Sequence, residues 1–192
     1  MIKYLLSQNY RVVSYKKGQV IYEAGSRPRA VYFIRSGRVK MVTVNTEGRE
    51  FIQGMFKSGE FFGEPALLLD KPYLADTIAT QDSEIIAVAA QDFSKLLKDN
   101  PDFSMDLIRT LSNRLFYKSM MLEELANEQA DHRVITLLKH LLAELKSGEE
   151  LKLTRQQIAD MSGLRIETVI RIIKKLSDLK EFKLIRGKIV KI

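Results

Sequence analysis

Residues 153–179 read LTRQQIADMSGLRIETVIRIIKKLSDL, and this stretch decides how the rest of the chain is understood. Thr154 followed three residues later by Gln157 has the form of a capping box. In that motif the hydroxyl satisfies one free amide at a helix start and the carboxamide reaches back to another. A first helix is expected from about Arg155, with Ile158 and Ala159 on its inner side. Ser162-Gly163 then interrupts the pattern, where a sharp reversal needs a residue tolerant of positive φ. A second helix follows, with Val169, Ile172, Ile173 and Leu176 spaced to form one apolar face. Ala159 lets two helices approach, Gly163 turns the chain and Val169 plugs the core between them. These are the packing needs of a helix-turn-helix.

The other face of the second helix carries Arg165, Glu167, Thr168, Arg171 and Lys175. Glu167 and Arg171 are four apart and project side by side. In a major groove an arginine can grip guanine O6 and N7 with both ends of its guanidinium, and a glutamate can accept from cytosine N4. A plain i to i+4 surface ion pair is the other reading of the same two residues; the turn-helix setting favours base reading. Arg155, Lys175 and Lys188 are the candidate cations for the DNA backbone.

Charge supports this placement. The net charge of +7 resides in residues 151–192, which hold eleven Lys or Arg against four Asp or Glu, whereas residues 1–150 balance to zero. A terminal basic block that contains a helix-turn-helix is the electrostatic footprint of a duplex DNA binder. A membrane surface is disfavoured by the clear two-helix punctuation. No apolar run approaches the ~18 residues of a membrane span, and MIKYLLSQNYRV lacks a signal peptide's apolar stretch, so a cytoplasmic protein is expected. The absence of cysteine rules out disulfides and any Cys-ligated iron–sulfur cluster, zinc or haem, leaving the cofactor, if any, unknown. His132 and His140 lie eight apart, too far to share a metal, so no metal site is expected. With no phosphate loop, metal-ligand spacing or nucleophile beside a base, the chain does not read as an enzyme.

Upstream, short runs rich in Val, Ile, Tyr and Phe are broken every eight to twelve residues by glycine or charged turns. Strands are expected at Arg11–Tyr15, Val20–Tyr22, Ala30–Ser36, Arg38–Asn45, Glu50–Met55, Asp76–Ala79 and Glu84–Ala89, forming an antiparallel sandwich or roll nearly free of helix. Asp92 is the expected cap of a short helix to Lys98, ended by Asn100-Pro101. A much longer helix follows. In it Ile108, Leu111, Leu115, Lys118, Leu122 and Leu125 alternate steps of three and four, placing them at a and d of a heptad, a seam that calls for a second copy of the chain. Leu107, Phe116 and Met121 are expected to form a second apolar face toward the β domain. After a polar break at Glu128–Asp131, Val134, Leu137, Leu138, Leu141, Leu142 and Leu145 mark a further amphipathic helix. At the end of the chain, residues 182–192 alternate and turn at Gly187, as a hairpin wing would.

This order of parts resembles the Crp/Fnr family of bacterial transcription regulators, over nearly the whole chain. The resemblance is carried by Leu153–Ala159 through Gly163, Glu167-Thr168-Val169 and Arg171, and by Phe62-Gly63-Glu64 with Ala66-Leu67, which is similar to the start of the family's phosphate-binding cassette. It implies an α+β chain with a β-roll effector domain at 1–101, a dimerisation helix at 102–128 and a winged helix-turn-helix at 129–192. It also implies a homodimer on an inverted-repeat operator of double-stranded DNA, with RNA polymerase as a partner. Glu167 and Arg171 fall on its base-reading positions and Thr168 on a phosphate-contacting one; Ile166 stands where some members carry a first base-reading arginine, and an aliphatic residue at this place resembles the Fnr branch, with a TGA-like half-site core implied. Gly63, Glu64, Tyr73, Leu74, Lys118 and Ser119 fall around its effector pocket. Cyclic nucleotide binders carry an arginine after the cassette; Lys71-Pro72-Tyr73-Leu74-Ala75-Asp76 has none, so ordinary cyclic AMP binding is not expected. A small-ligand module acting through protein contacts remains the alternative reading.

Overall fold

The structure, a computed structural model, describes residues 4–5, 10–126 and 130–192. It divides into two compact units, residues 1–109 and 110–192. Among the described residues the first contains eight strands: β1 (Val12–Tyr15), β2 (Val20–Tyr22), β3 (Ala30–Ser36), β4 (Arg38–Val44), β5 (Glu50–Lys57), β6 (Phe61–Phe62), β7 (Asp76–Ala79) and β8 (Ser83–Ala89). They pair antiparallel throughout, in two four-stranded sheets ordered β1-β8-β3-β6 and β2-β7-β4-β5. Because every connection but β4–β5 crosses from one sheet to the other, apolar residues of both turn inward on a shared core, which is the roll expected from the strand spacing.

Phe33 is fully buried, with the rings of Phe61, Phe103 and Phe93 at centroid distances of 5.5, 5.9 and 6.5 Å. The β3–β4 turn is pinned at Gly37, which has φ +100° and lies so close to β8 that a Cβ there would meet Ser83 Oγ at 2.2 Å. Ser83 Oγ in turn accepts from the Arg38 amide at 3.1 Å.

Two elements here depart from the expected nearly helix-free roll. Phe61–Phe62 pair with β3, and Glu64–Leu69 form a helix, α1, opened by Gly63 in the left-handed region and Pro65 in its first turn. Both are too short for a hydrophobic period to reveal. Helix α2 runs Ala90–Asp99 with Ala89 as its N-cap, so Asp92 is not the cap. It sits instead in the first turn, where a carboxylate favours the helix dipole. Asn100 Oδ1 accepts from the Phe103 amide at 3.0 Å and so starts the next helix, α3 (Pro101–Ala126).

The expected second face of α3 is corrected as well. Leu107 is buried, but Phe116 is 70 % exposed and Met121 packs on the core of the C-terminal unit. Nine residues at about 100° each carry Phe116 to the side of the helix opposite Leu107. The expected seam is largely uncovered within the chain: Ile108, Leu115, Leu122 and Leu125 are exposed, Lys118 is exposed and Leu111 is half-buried.

The second unit comprises the C-terminal part of α3, α4 (Ala130–Ala143), α5 (Arg155–Ser162), α6 (Ile166–Asp178) and a hairpin of β9 (Lys183–Ile185) and β10 (Lys188–Val190). Of the expected polar break, Glu128 lies outside the described residues and Asp131 lies in the first turn of α4. Val134, Leu137 and Leu138 of α4 meet Ile158, Ala159, Val169, Ile172, Ile173, Leu176, Phe182 and Ile189 in one core. Tyr117 of α3 packs against this core and stacks on His140 with centroids 3.7 Å apart, and Thr136 Oγ1 donates to Glu124 Oε1 at 2.7 Å.

Candidate nucleic-acid interface

The interface is built up from the Thr154 cap. The Thr154 amide donates to Gln157 Oε1 at 2.9 Å and the Gln157 amide to Thr154 Oγ1 at 3.1 Å, so the capping box forms as the spacing predicts. Replacing Thr154 with Ala should cost about 1 kcal/mol of stability, read as a shift in the urea midpoint with an unchanged slope. Gly163 ends α5 at φ 66°, and the Leu164 amide bonds back to Ala159 O at 3.1 Å. The chain thereby reverses within three residues and enters α6 with Arg165 as an extended N-cap. Ser162, buried in this turn, bonds back to Ala159 O and receives Arg133 Nη1 on its carbonyl.

Helix α6 divides cleanly. Val169, Ile172, Ile173 and Leu176 are buried, while Glu167, Ile170, Arg171, Lys174 and Lys175 are exposed and Thr168 is half-buried. Among the described residues no ion pair joins Glu167 to Arg171, so both head groups are presented outward from the same turns. Glu167 in the first turn also suits the positive end of the helix dipole.

The wing lies beside this helix in sequence and is tied to α5. Arg186 and Gly187 have φ of 49° and 78°, the two positive values a type I′ turn requires, and Ile185 pairs with Lys188 across them. Arg155 Nη2 donates to Gly187 O at 2.8 Å, so this arginine braces the wing tip, and burial lowers its pKa. An isolated β-bridge joins the segment before α5 to β10: Glu150 bridges Val190, and the Leu151 amide donates to Ile189 O at 2.8 Å. Arg186 is a further exposed cation, carried to the tip by its place before Gly187 in the two-residue turn. Lys175 Nζ and Lys188 Nζ are each 2.8 Å from a carboxylate, of Asp131 and Glu150 respectively.

The residues singled out for an effector have different surroundings. Gly63 packs under the Tyr32 ring, where a Cβ would come within 3.1 Å of Cδ2. Glu64 is 2 % exposed, and Tyr73 lies flat on Tyr22 with centroids 3.6 Å apart and its hydroxyl donating to Ala30 O at 3.3 Å. Tyr32 stacks on Phe62 at 5.3 Å. These rings belong to one core cluster drawn from both sheets, and burial raises the pKa of Tyr22, Tyr32 and Tyr73, leaving neutral phenols. Leu74, in contrast, is 84 % exposed. Lys118 and Ser119 are exposed on α3, where Ser119 Oγ donates to Leu115 O at 3.0 Å.

Residues 12–100 match the cyclic nucleotide-binding domain, and residues 132–192 match the Crp-like helix-turn-helix domain. The cAMP-activated global transcriptional regulator CRP of Pasteurella multocida is 30 % identical over 85 % of this chain and 81 % of its own length. The global nitrogen regulator of a Nostoc species is 30 % identical over 91 % of this chain and 80 % of its own. The chain belongs to the Crp/Fnr family. A solved Crp/Fnr-family transcriptional regulator from Thermus thermophilus superposes with a TM-score of 0.69 at 26 % identity, covering 95 % of this chain and 93 % of that one. As a Crp/Fnr protein it is a DNA-binding transcription regulator with a cyclic nucleotide-binding domain, and its relatives are regulators and not enzymes. Among the described residues no helix is long and apolar enough to cross a membrane.

Proposed function

We propose that the protein works as a cytoplasmic homodimer that reads an inverted-repeat operator, with Glu167 and Arg171 of each copy touching base edges and Arg155, Thr168, Lys175 and Lys188 set along the backbone. The division of labour follows the three segments 1–101, 102–128 and 129–192, with RNA polymerase the partner that the family resemblance implies. The observation that carries the reading is α6 itself: one face closes the core and the other presents an acid and an arginine four residues apart with no ion pair between them among the described residues. A helix so exposed at its N-terminal half is suited to the major groove.

The sensor domain does not take cyclic AMP in the usual way. Its interior already holds the Tyr22–Tyr73 stack at 3.6 Å, and the segment 71–76 supplies no arginine for a cyclic phosphate, which would be buried poorly paired at a cost of several kcal/mol.

Selection from a pool of random duplexes at near-physiological salt, with and without cyclic AMP, tests both statements. Enrichment of a two-fold site without nucleotide is expected. Enrichment only with nucleotide would refute the sensor reading, and none under either condition would remove the support for operator recognition. On the selected site, Arg171→Ala should cost about 1–3 kcal/mol and relax selectivity at one base pair per half-site. Equal weakening on selected and random DNA, measured by fluorescence anisotropy, would rule out base reading by Arg171.

A further inference from the structure

Two lysines of the DNA face are already held by carboxylates. Lys175 Nζ lies 2.8 Å from Asp131 Oδ2, and Lys188 Nζ lies 2.8 Å from Glu150 Oε2. Neither acid belongs to the basic block 151–192, whose own carboxylates are Asp160, Glu167, Asp178 and Glu181. Asp131 comes from the first turn of α4 and Glu150 from the residue that bridges β10, across sequence separations of 44 and 38 residues. Two elements bordering the block therefore each deliver one acid to one lysine of the face, which neighbour pairing along a helix would not produce. Both lysines stay exposed, so a phosphate can approach the same ammonium that the carboxylate holds.

We propose that Asp131 and Glu150 are specificity-determining residues, internal stand-ins for phosphate that hold Lys175 and Lys188 back from DNA that α6 does not fit. The inference rests on the reading of α6 as the base-reading helix and of these lysines as backbone contacts. On a fitting site, Glu167 and Arg171 engage base edges, and the exchange of carboxylate for phosphate comes with that gain. On a random duplex the same exchange has no base contact to accompany it. The displaced carboxylate is then left facing the polyanion well within the ~8 Å Debye length of physiological salt. Non-specific binding is almost wholly electrostatic, so it is the mode that the two acids weaken more, and the ratio of specific to non-specific affinity rises.

The full chain carrying Asp131→Asn, Glu150→Gln or both is titrated with the selected operator and with random duplex of equal length over a salt series. Random-duplex affinity should rise roughly two- to fivefold per acid, the range set by an exposed ion pair, with a smaller rise on the operator and a lower specificity ratio. Glu181→Gln adds the same unit of charge and touches no lysine among the described residues, so it should leave the ratio unchanged. Equal effects from Glu181→Gln and Glu150→Gln, equal gains on both duplexes, or no gain at all would each overturn the proposal. Lys188→Ala separates the two layers. If it weakens both duplexes while Glu150→Gln changes nothing, the tether alone fails; if it weakens neither, the reading of Lys188 as a DNA contact fails with it.

Discussion

Changing Leu115 and Leu122 together to Asp should convert the protein to monomers in sedimentation and lower operator affinity by about two to four orders of magnitude. Each side chain is 67 % exposed within the chain and sits at an a position of the heptad, so its main chance of burial is against a second copy. Burial of a leucine stabilises by about 1.5–3 kcal/mol, and a two-fold seam buries four at these two layers. Aspartates there would remove that gain and oppose like charges across the axis. The loss on DNA follows from linkage: two heads joined through one dimer bind the second half-site as an intramolecular event, and that advantage, about 10²–10⁴, vanishes in monomers. Circular dichroism of the variant should stay native, since both residues are exposed within the chain. A dimer that survives the double change would place the interface elsewhere.

Phe33→Ala should have the largest effect on stability, about 3–5 kcal/mol. Phe33 is fully buried at the point where β3, β6, α2 and the start of α3 meet, and the deletion leaves three neighbouring rings facing a void. Against the ~5–15 kcal/mol that holds a typical domain, this is enough to unfold the first unit at mild urea. The second unit has its own core and should melt later, so a biphasic curve is expected where the parent shows closer transitions. Phe33→Leu keeps most of the volume and should cost less than half as much; equal costs for the two would mean that ring packing is not what Phe33 supplies.

How far the sequence could be read depended on the range of the interaction. The Thr154–Gln157 box, the Gly163 reversal and the Gly187 hairpin are all written within four residues, and each lies where its spacing places it. The four buried positions of α6 repeat with the helix period, and β7 alternates with the strand period, whereas β3 is buried on both faces for most of its length. The two-residue β6 and six-residue α1 carry no period to detect, and Asp92 has the residue type of a cap while the N-cap itself, Ala89, has no polar side chain to show it. Contacts far apart along the chain were illegible. Nothing local in Tyr22 says that it will lie flat on Tyr73, nor does Lys188 announce Glu150. The tethers that bear on the lysines of the face belong to that class, as does the brace from Arg155 to the wing.

The two-residue turn at Arg186-Gly187 limits how the wing can change length. Ile189 is buried against the core while Lys188 faces out, an alternation fixed by the Ile185–Lys188 pairing across the turn. A single inserted residue that shifted this register would swing Ile189 to solvent and drive a lysine inward. Insertions at the tip should therefore be tolerated in pairs, each pair lengthening the ribbon by one rung, and rejected singly. A library of one-, two-, three- and four-residue insertions, sorted for folded protein, would then show an odd–even rhythm in survival.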